Sequence, residues 1–192
     1  MLNEEDIIQG LKEGDSRIFR ELVDQFRVPV MNTCLGIVHN RQDAEDIAQE
    51  VFVEIFRSIR NFRADSKLST WIYRIAVNKS LNFVRKQKRQ KWMTSVEDFF
   101  KGKSEPEFHS ALTSTPSAEM EKQQRVHHLQ MAVDSLPENQ RIAFTLNKYD
   151  ELSYREISEV MNLTVSSVES LIHRAKTNLQ KKLWVCYKKE CI

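Results

Sequence analysis

The sequence predicts an all-α protein built from two small helical domains joined by a flexible linker, the second of them a helix-turn-helix. Glycine and proline are scarce, at four each in 192 residues, and helix-forming residues dominate. Few stretches alternate apolar and polar residues with the period of two that is typical of strands. Breakers and small polar residues interrupt this pattern between about 92 and 117, which predicts the linker. The expected domains are therefore 1–91 and 118–192.

The first domain is predicted to be a compact bundle of helices. Gly14, Asp15 and Ser16 together predict the end of a first helix, and apolar residues at three- and four-residue spacing between Ile18 and Phe26 predict an amphipathic second helix. Pro29 is expected near the start of the next helix, where its missing N–H matters least. Asp43 is expected to cap the helix that continues to Arg60, with further carboxylates in its first turn.

The helix over 43–60 combines an acidic face with more apolar surface than one core contact needs. Asp46, Glu50 and Glu54 recur every four residues, and Val53 and Phe56 add apolar positions outside the main stripe. This combination suits a partner protein with a basic surface, because complementary charge sets orientation and association rate. A purely solvated acidic face remains the alternative.

A long basic helix is predicted from Ser69 to about Lys91. Its first half, Trp71–Val77, is apolar nearly all round and should be buried. Its second half contains no Asp or Glu and places four side chains on one face: Asn78, Asn82, Arg85 and Arg89. Asn and Arg carry donors and acceptors that match base edges, so this face is a candidate DNA-binding surface. The alternative is an ordinary surface helix whose long side chains extend into solvent.

The carboxy-terminal fifty residues predict a helix-turn-helix. A helix start at Leu136-Pro137-Glu138 precedes Ser153-x-x-Glu156, a capping box that should begin the first element of the motif. A short polar turn at 162–164 leads into a second helix with an apolar stripe. Its opposite face carries hydroxyl and cationic side chains: Ser166, Ser167, Ser170, His173, Arg174 and, nearby, Lys176. Such a helix fits the major groove and neutralises phosphates; a protein-binding bundle is the alternative.

Composition excludes several other classes. The three cysteines, Cys34, Cys186 and Cys191, form no disulfide framework or zinc-ligand spacing. The acidic amino terminus is unlike a signal peptide, and no apolar run is long enough to cross a bilayer. No glycine-rich phosphate loop or catalytic constellation is present. We therefore expect a soluble cytoplasmic protein that is not an enzyme and needs no metal or other cofactor.

Several segments resemble those of one known family. The segment 43–52, DAEDIAQEVF, resembles the core-polymerase-binding segment of bacterial sigma factors of the sigma-70 superfamily. The segment 61–78 looks like the promoter-melting and minus-ten segment of the extracytoplasmic-function (ECF) subfamily. The segments 136–141 and 152–157 are similar to that subfamily's minus-thirty-five domain. These matches occur in order over nearly the whole chain, with only the linker unmatched.

The resemblance assigns roles to individual residues. It implies that core polymerase, through the coiled coil of its largest subunit, is bound by Asp46, Gln49 and Glu50. It implies that the minus-ten element is bound by Asn61, Phe62, Arg63, Ser69, Asn78, Asn82 and Arg85. It implies that the minus-thirty-five element is bound by Ser166, Ser167, Ser170, His173, Arg174 and Lys176. Phe62 and Trp71 are candidate stacking surfaces for a flipped base, although Trp71 is expected to belong to the core.

The function implied is a transcription initiation factor that binds RNA polymerase core, directs it to specific promoters and assists promoter opening. The resemblance also implies control by an anti-sigma factor and a monomeric free state. Two other functions remain open. One is an operator-binding repressor or activator that dimerises through residues 1–91. The other is an anti-sigma or adaptor protein that binds polymerase without DNA.

Overall fold

The computed structural model describes residues 4–100, 128–129 and 131–190, with side chains to residue 90 in the first range and to residue 184 in the last. Every regular element within these residues is helical, as expected for an all-α protein. In chain order the elements are α1 (Glu4–Glu13), α2 (Ser16–Val38), α3 (Arg41–Ser58), a 3-10 turn (Ile59–Asn61), α4 (Leu68–Phe100), α5 (Glu138–Lys148), α6 (Tyr154–Met161) and α7 (Val165–Glu190). Residues 131–134, before α5, are also helical. Helix α4 extends to Phe100, beyond its predicted end at about Lys91 and into the predicted linker; the rest of that linker, 101–117, lies outside the described residues.

The break between α1 and α2 follows the sequence signals. Gly14 has a φ of 83°, a conformation that glycine adopts without strain. Asp15 then caps α2 by accepting a hydrogen bond from the backbone N–H of Arg17 at 2.8 Å. The helix boundary predicted at this point is confirmed.

Two expectations about the first domain are wrong. Pro29 does not begin a helix but lies inside α2, which is continuous because its apolar stripe, including Val30 and Ile37, stays buried along its length. Asp43 is not the cap of α3. Asn40 is the cap, and its side-chain oxygen accepts from the backbone N–H of Asp43 at 3.0 Å. Asp43 instead occupies the first turn, where its charge suits the helix dipole.

The amino-terminal block, helices α1–α4, has its own core. Helices α2, α3 and α4 pack against one another in pairs. Val51, Ile55 and Ile72 are fully buried between them, and Trp71 packs partly buried against the same cluster. The expectation that the first half of the long basic helix is buried, with Trp71 in the core, is confirmed.

The carboxy-terminal block, residues 131–184, forms the predicted helix-turn-helix. Ser153 and Glu156 make the reciprocal bonds of a capping box at the start of α6. Asn162, with a φ of 54°, ends that helix, and α7 begins at Val165. Val168 and Ile172 of α7 are buried in one cluster with Ile157 of α6. These contacts hold α7 against α6 and leave its opposite face to solvent.

The two blocks also contact each other directly. Helix α5 packs on α2, and α6 packs on α4. One buried cluster contains residues of both blocks. Ile37, Tyr73 and Val77 come from the amino-terminal block. The carboxy-terminal block contributes the others: Ile142, Ala143, Leu146, Leu152, Ile157, Val160, Val168 and Ile172. The sequence signals did not predict this shared core.

Candidate polymerase- and DNA-binding surfaces

The acidic face of α3 is exposed. Asp46, Gln49 and Glu50, the predicted polymerase-binding residues, all lie at the surface. They line an open groove of about 570 Å³ with four other residues: Val53, Glu54, Arg57 and Lys79. Val53 is 47% exposed, and Phe56, one turn further on, is 56% exposed. The helix therefore presents carboxylates next to uncovered apolar surface, as its sequence pattern indicates.

Lys79 of α4 lies at one edge of this acidic face. Its Nζ atom is 3.5 Å from Glu50 Oε2 and 3.4 Å from Glu54 Oε2. Lys79 directly follows Asn78, one of the predicted DNA-binding residues of α4. The helix packing turns it towards α3 instead, where it partly neutralises Glu50 and Glu54.

The segment between the 3-10 turn and α4 carries the first group of predicted minus-ten residues. Asn61 and Arg63 are exposed and Ser69 is half-buried. Phe62 is only 6% exposed, and its ring packs on Trp71 with the centroids 5.0 Å apart. With this packing, neither ring face of Phe62 is free to stack on a base. The stacking role predicted for Phe62 therefore needs a movement of the segment between the 3-10 turn and α4.

Glu4 anchors the end of the same segment. Its Oε1 atom accepts a hydrogen bond from the backbone N–H of Leu68 at 2.5 Å, which ties α1 to the first turn of α4. A carboxylate at a helix amino terminus is favourable because four N–H groups there lack helical partners. Sequence reasoning missed this residue, since nothing in the pattern of α1 indicates a partner 64 positions away.

The second group of minus-ten residues lies along α4. Asn78, Asn82 and Arg85 are exposed, whereas Ala76 and Val77 are buried. The structure therefore brings the three polar side chains to one solvent-facing side of the helix, as their spacing predicts. Arg85 has an acidic neighbour across the molecule, with its Nη2 atom 3.8 Å from Glu138 Oε1.

The exposed face of α7 carries the whole predicted minus-thirty-five set. All six residues lie at the surface: Ser166, Ser167, Ser170, His173, Arg174 and Lys176. Ser167 also takes part in the helix start, because its hydroxyl lies 2.8 Å from Thr164 Oγ1 and its backbone N–H bonds the same atom. The other side chains are available to a ligand in the major groove.

Two exposed residues of α7 escaped the sequence prediction. Glu169 places a carboxylate within the otherwise uncharged and cationic face, and Val165 is 46% exposed in the first turn. A carboxylate at a DNA interface accepts from the amino group of cytosine, and an apolar side chain contacts the thymine methyl group. Glu169 was overlooked because the cationic run that predicts DNA binding begins only after it.

Comparison with known proteins agrees with this division of the chain. The family model Sigma-70 region 2 matches residues 22–90, and the model Sigma-70, region 4 matches residues 127–179. The RNA polymerase sigma-H factor of Pseudomonas aeruginosa is 32% identical over 94% of this chain and 93% of its own. The ECF RNA polymerase sigma factor SigW of Bacillus subtilis is 31% identical over 92% of this chain and 94% of its own. This chain belongs to the ECF group of the sigma-70 family.

Other similarities support the same assignment. The ECF sigma-E factor of Escherichia coli is 32% identical over 95% of both chains. Among solved structures, CnrH, determined with the cytosolic domain of CnrY, matches with a TM-score of 0.69 and 20% identity over 95% of this chain and 97% of its own. Sigma factor RpoE of Bartonella quintana, determined with the anti-sigma factor NepR, gives 0.63 and 20% over 87% and 97%. The sigma-factor fold spans both blocks, and the family consists of non-enzymatic transcription initiation factors.

The structure also bears on membrane association. No helix within the described residues is both long and apolar enough to span a membrane.

Proposed function

We propose that this sigma factor binds RNA polymerase core through α3 and reads a promoter with two separate surfaces. Residues 1–91 form the domain for core and minus-ten binding, residues 118–192 form the minus-thirty-five domain, and 92–117 link them. The observation that carries the proposal is the exposure of three helix faces on one chain: an acidic and apolar face on α3, an Asn- and Arg-bearing face on α4, and a Ser-, His-, Arg- and Lys-bearing face on α7. Each lies within a segment that matches the corresponding sigma region.

The chemistry of α3 suits a basic protein surface. Asp46 and Glu50 supply charge for orientation, Gln49 supplies a hydrogen-bonding amide, and Val53 and Phe56 supply apolar area beside them. Interfaces draw affinity from such uncovered apolar positions, while charge sets approach and specificity. We assign this face to the coiled coil of the largest polymerase subunit, as the family resemblance implies.

The minus-ten surface comprises residues 61–69 and the polar side of α4. Asn61, Arg63, Asn78, Asn82 and Arg85 offer side chains that can bind bases and phosphates. Opening without ATP requires a pocket that holds an unstacked base, since unstacking costs a few kcal/mol. We assign that pocket to the segment around Phe62 and Ser69, with Phe62 swinging away from Trp71 on binding.

The proposal also covers the control of this sigma factor, its oligomeric state and its location in the cell. The two solved relatives each include a partner, the cytosolic domain of CnrY or the anti-sigma factor NepR. We infer that an anti-sigma factor also controls this chain. We further propose that the free chain is a monomer and acts in the cytoplasm, where polymerase and promoter DNA are present.

Gel filtration with purified bacterial RNA polymerase core tests the proposal. The wild type should co-elute with core at moderate salt. The double reversal Asp46→Lys/Glu50→Lys should weaken the complex by about 100-fold or more, because each change replaces attraction by repulsion at an interface. The control Glu5→Lys/Glu13→Lys changes the same total charge on the exposed side of α1 and should still co-elute.

Two results would contradict the proposal. If the wild type does not bind core and elutes alone as a dimer, the chain is an operator-binding regulator rather than an initiation factor. If the α1 control loses binding as completely as the α3 variant, net charge matters and the docking face on α3 is wrongly assigned.

A further inference from the structure

The acidic face of α3 is paired with a cation of the same chain. Lys79 of α4 reaches α3, and its Nζ atom lies 3.5 Å from Glu50 Oε2 and 3.4 Å from Glu54 Oε2. Glu50 and Glu54 are one helical turn apart, so their charges repel each other when no cation is near. Lys79 therefore binds one of the carboxylates that we assign to polymerase binding.

The three side chains of this ion-pair group differ in their exposure to solvent. The side chain of Lys79 is 27% exposed, whereas those of Glu50 and Glu54 are 69% and 43% exposed. Helices α3 and α4 pack against each other, and the aliphatic stem of Lys79 is largely covered beside that contact. The carboxylate of Glu50 is open on its outer side, so a basic group of another protein can reach it.

The ion pairs of Lys79 are long and easily exchanged. Strong charge-assisted bonds between a nitrogen cation and a carboxylate are about 2.7–2.9 Å long, and both Lys79 contacts are longer. Exposed pairs of this kind add little to the stability of a fold. An external cation can therefore replace Lys79 at Glu50 without disturbing the packing of α3 on α4.

Asp46, one turn before Glu50, provides a comparison on the same face. It is exposed and lines the same open groove, but it forms no ion pair within the described residues. The groove is lined by three carboxylates and by two cations, Lys79 and Arg57. The charge of Asp46 is thus fully available to a basic partner, whereas that of Glu50 is shared with Lys79.

We propose that Lys79 competes with core polymerase for Glu50 and so lowers the affinity of this chain for core. A basic side chain of the polymerase coiled coil that pairs with Glu50 has to displace the ammonium group of Lys79 or approach against its repulsion. Glu50 is therefore a weaker anchor than Asp46, and the affinity stays below what the acidic face alone would give. This inference rests on the proposed function.

Removal of the charge on Lys79 tests the competition. Lys79→Met keeps an apolar stem, and binding to immobilised core is measured by biolayer interferometry at about 0.1 M salt. The variant should bind about threefold to tenfold more tightly than the wild type, because an exposed ion pair changes an equilibrium by a factor of this order. The gain should shrink at about 0.5 M salt, where exposed charges are screened.

Two variants of matched charge serve as controls for Lys79→Met. Lys79→Arg keeps the cation and should bind core like the wild type. Lys88→Met removes the same charge about two and a half turns further along α4, on the opposite side of the helix, and should leave the affinity for core unchanged.

A double-mutant cycle tests whether Lys79 acts through Glu50. Glu50→Gln should weaken core binding by about threefold more in the Lys79→Met background than in the wild type, because Glu50 is then free to pair with polymerase. Asp46→Asn should weaken binding by the same factor in both backgrounds. Equal effects of Glu50→Gln in the two backgrounds would overturn the inference, since Lys79 would then act only through net charge.

The remaining outcomes separate this inference from the proposed function. Circular dichroism and thermal unfolding check the fold, and Lys79→Gln replaces Lys79→Met if the latter does not fold. Unchanged or weaker core binding by the folded variant would overturn the competition and leave the proposed function intact. Failure of the wild type to bind core would instead refute the proposed function.

Discussion

At the residue scale, one carboxylate at the contact between the blocks is buried at a cost in free energy. Asp150 Oδ2 accepts the hydrogen bond of Thr33, but Oδ1 is buried without a hydrogen-bond partner among the described residues. Burial raises the pKa of Asp150 to about 6, although the bond from Thr33 acts in the opposite direction. A buried group that prefers to be neutral makes the packed structure less stable at neutral pH than its apolar contacts alone would allow.

The sign of the pH dependence follows from this shift. The folded pKa lies above the unfolded value, so the stability linked to protonated Asp150 is present below about pH 4 and is lost as the pH rises through about 6. Asp150→Asn keeps an acceptor for Thr33 without a charge. We expect it to raise the free energy of unfolding at pH 7.5 by up to about 3 kcal/mol and to flatten its change between pH 4 and 6.

Urea unfolding of the two proteins at several pH values measures this effect. The exposed Asp24→Asn variant is the control and should follow the wild-type profile. A wild-type slope that persists unchanged in Asp150→Asn would show that another group is responsible.

At the element scale, α7 combines a cationic end with one exposed carboxylate. If α7 binds DNA as proposed, Arg174 and Lys176 would attract phosphates whatever the sequence, whereas Glu169 would fit the groove only opposite a donor such as the cytosine amino group. Glu169 forms no ion pair within the described residues, so no neighbouring charge there neutralises it. The charge of Glu169 would therefore oppose DNA binding by α7 unless a particular base lies opposite it.

Glu169→Ala separates base recognition from simple repulsion. If Glu169 reads a cytosine, the variant should lose about tenfold or more of its preference at one base pair and leave the other positions unchanged. Selection from a random duplex library, followed by sequencing, measures this. Glu5→Ala removes the same charge from α1 and should not change the preference. Uniformly tighter binding of Glu169→Ala to every sequence would mean that the carboxylate only repels phosphates.

The helices that the sequence predicted best are those with explicit end signals. Gly14 with Asp15, and Ser153 with Glu156, satisfy backbone donors locally, so their effect does not depend on the rest of the fold. Pro29 was misplaced because the burial of the α2 stripe outweighs the single hydrogen bond that proline removes. The exposed site residues of α3, α4 and α7 could be placed because helical spacing alone fixes which side chains share a face.

Features that depend on packing between distant elements could not be predicted. Ile37, Tyr73 and Val77 look like ordinary core positions of the first domain, and only the structure shows that the second block covers them. The turn of Lys79 towards α3 and the bond from Leu68 to Glu4 also depend on helix rotation, which local periodicity does not specify.

At the scale of the whole molecule, the structure combines three surfaces with different availability. In the packed structure, the acidic face of α3 and the exposed face of α7 are open to solvent. The proposed minus-ten surface is bordered by carboxylates of the other block, and Phe62 is covered by Trp71.

As a sigma factor, this chain should give core polymerase a promoter specificity that core lacks. The most direct measurement is transcription by purified core from a random promoter library, with and without the protein, followed by sequencing of the transcripts. We expect the protein to produce transcripts downstream of a shared two-part sequence, and Arg174→Ala to weaken selection of its upstream part only. An identical set of transcripts with and without the protein would refute the claim.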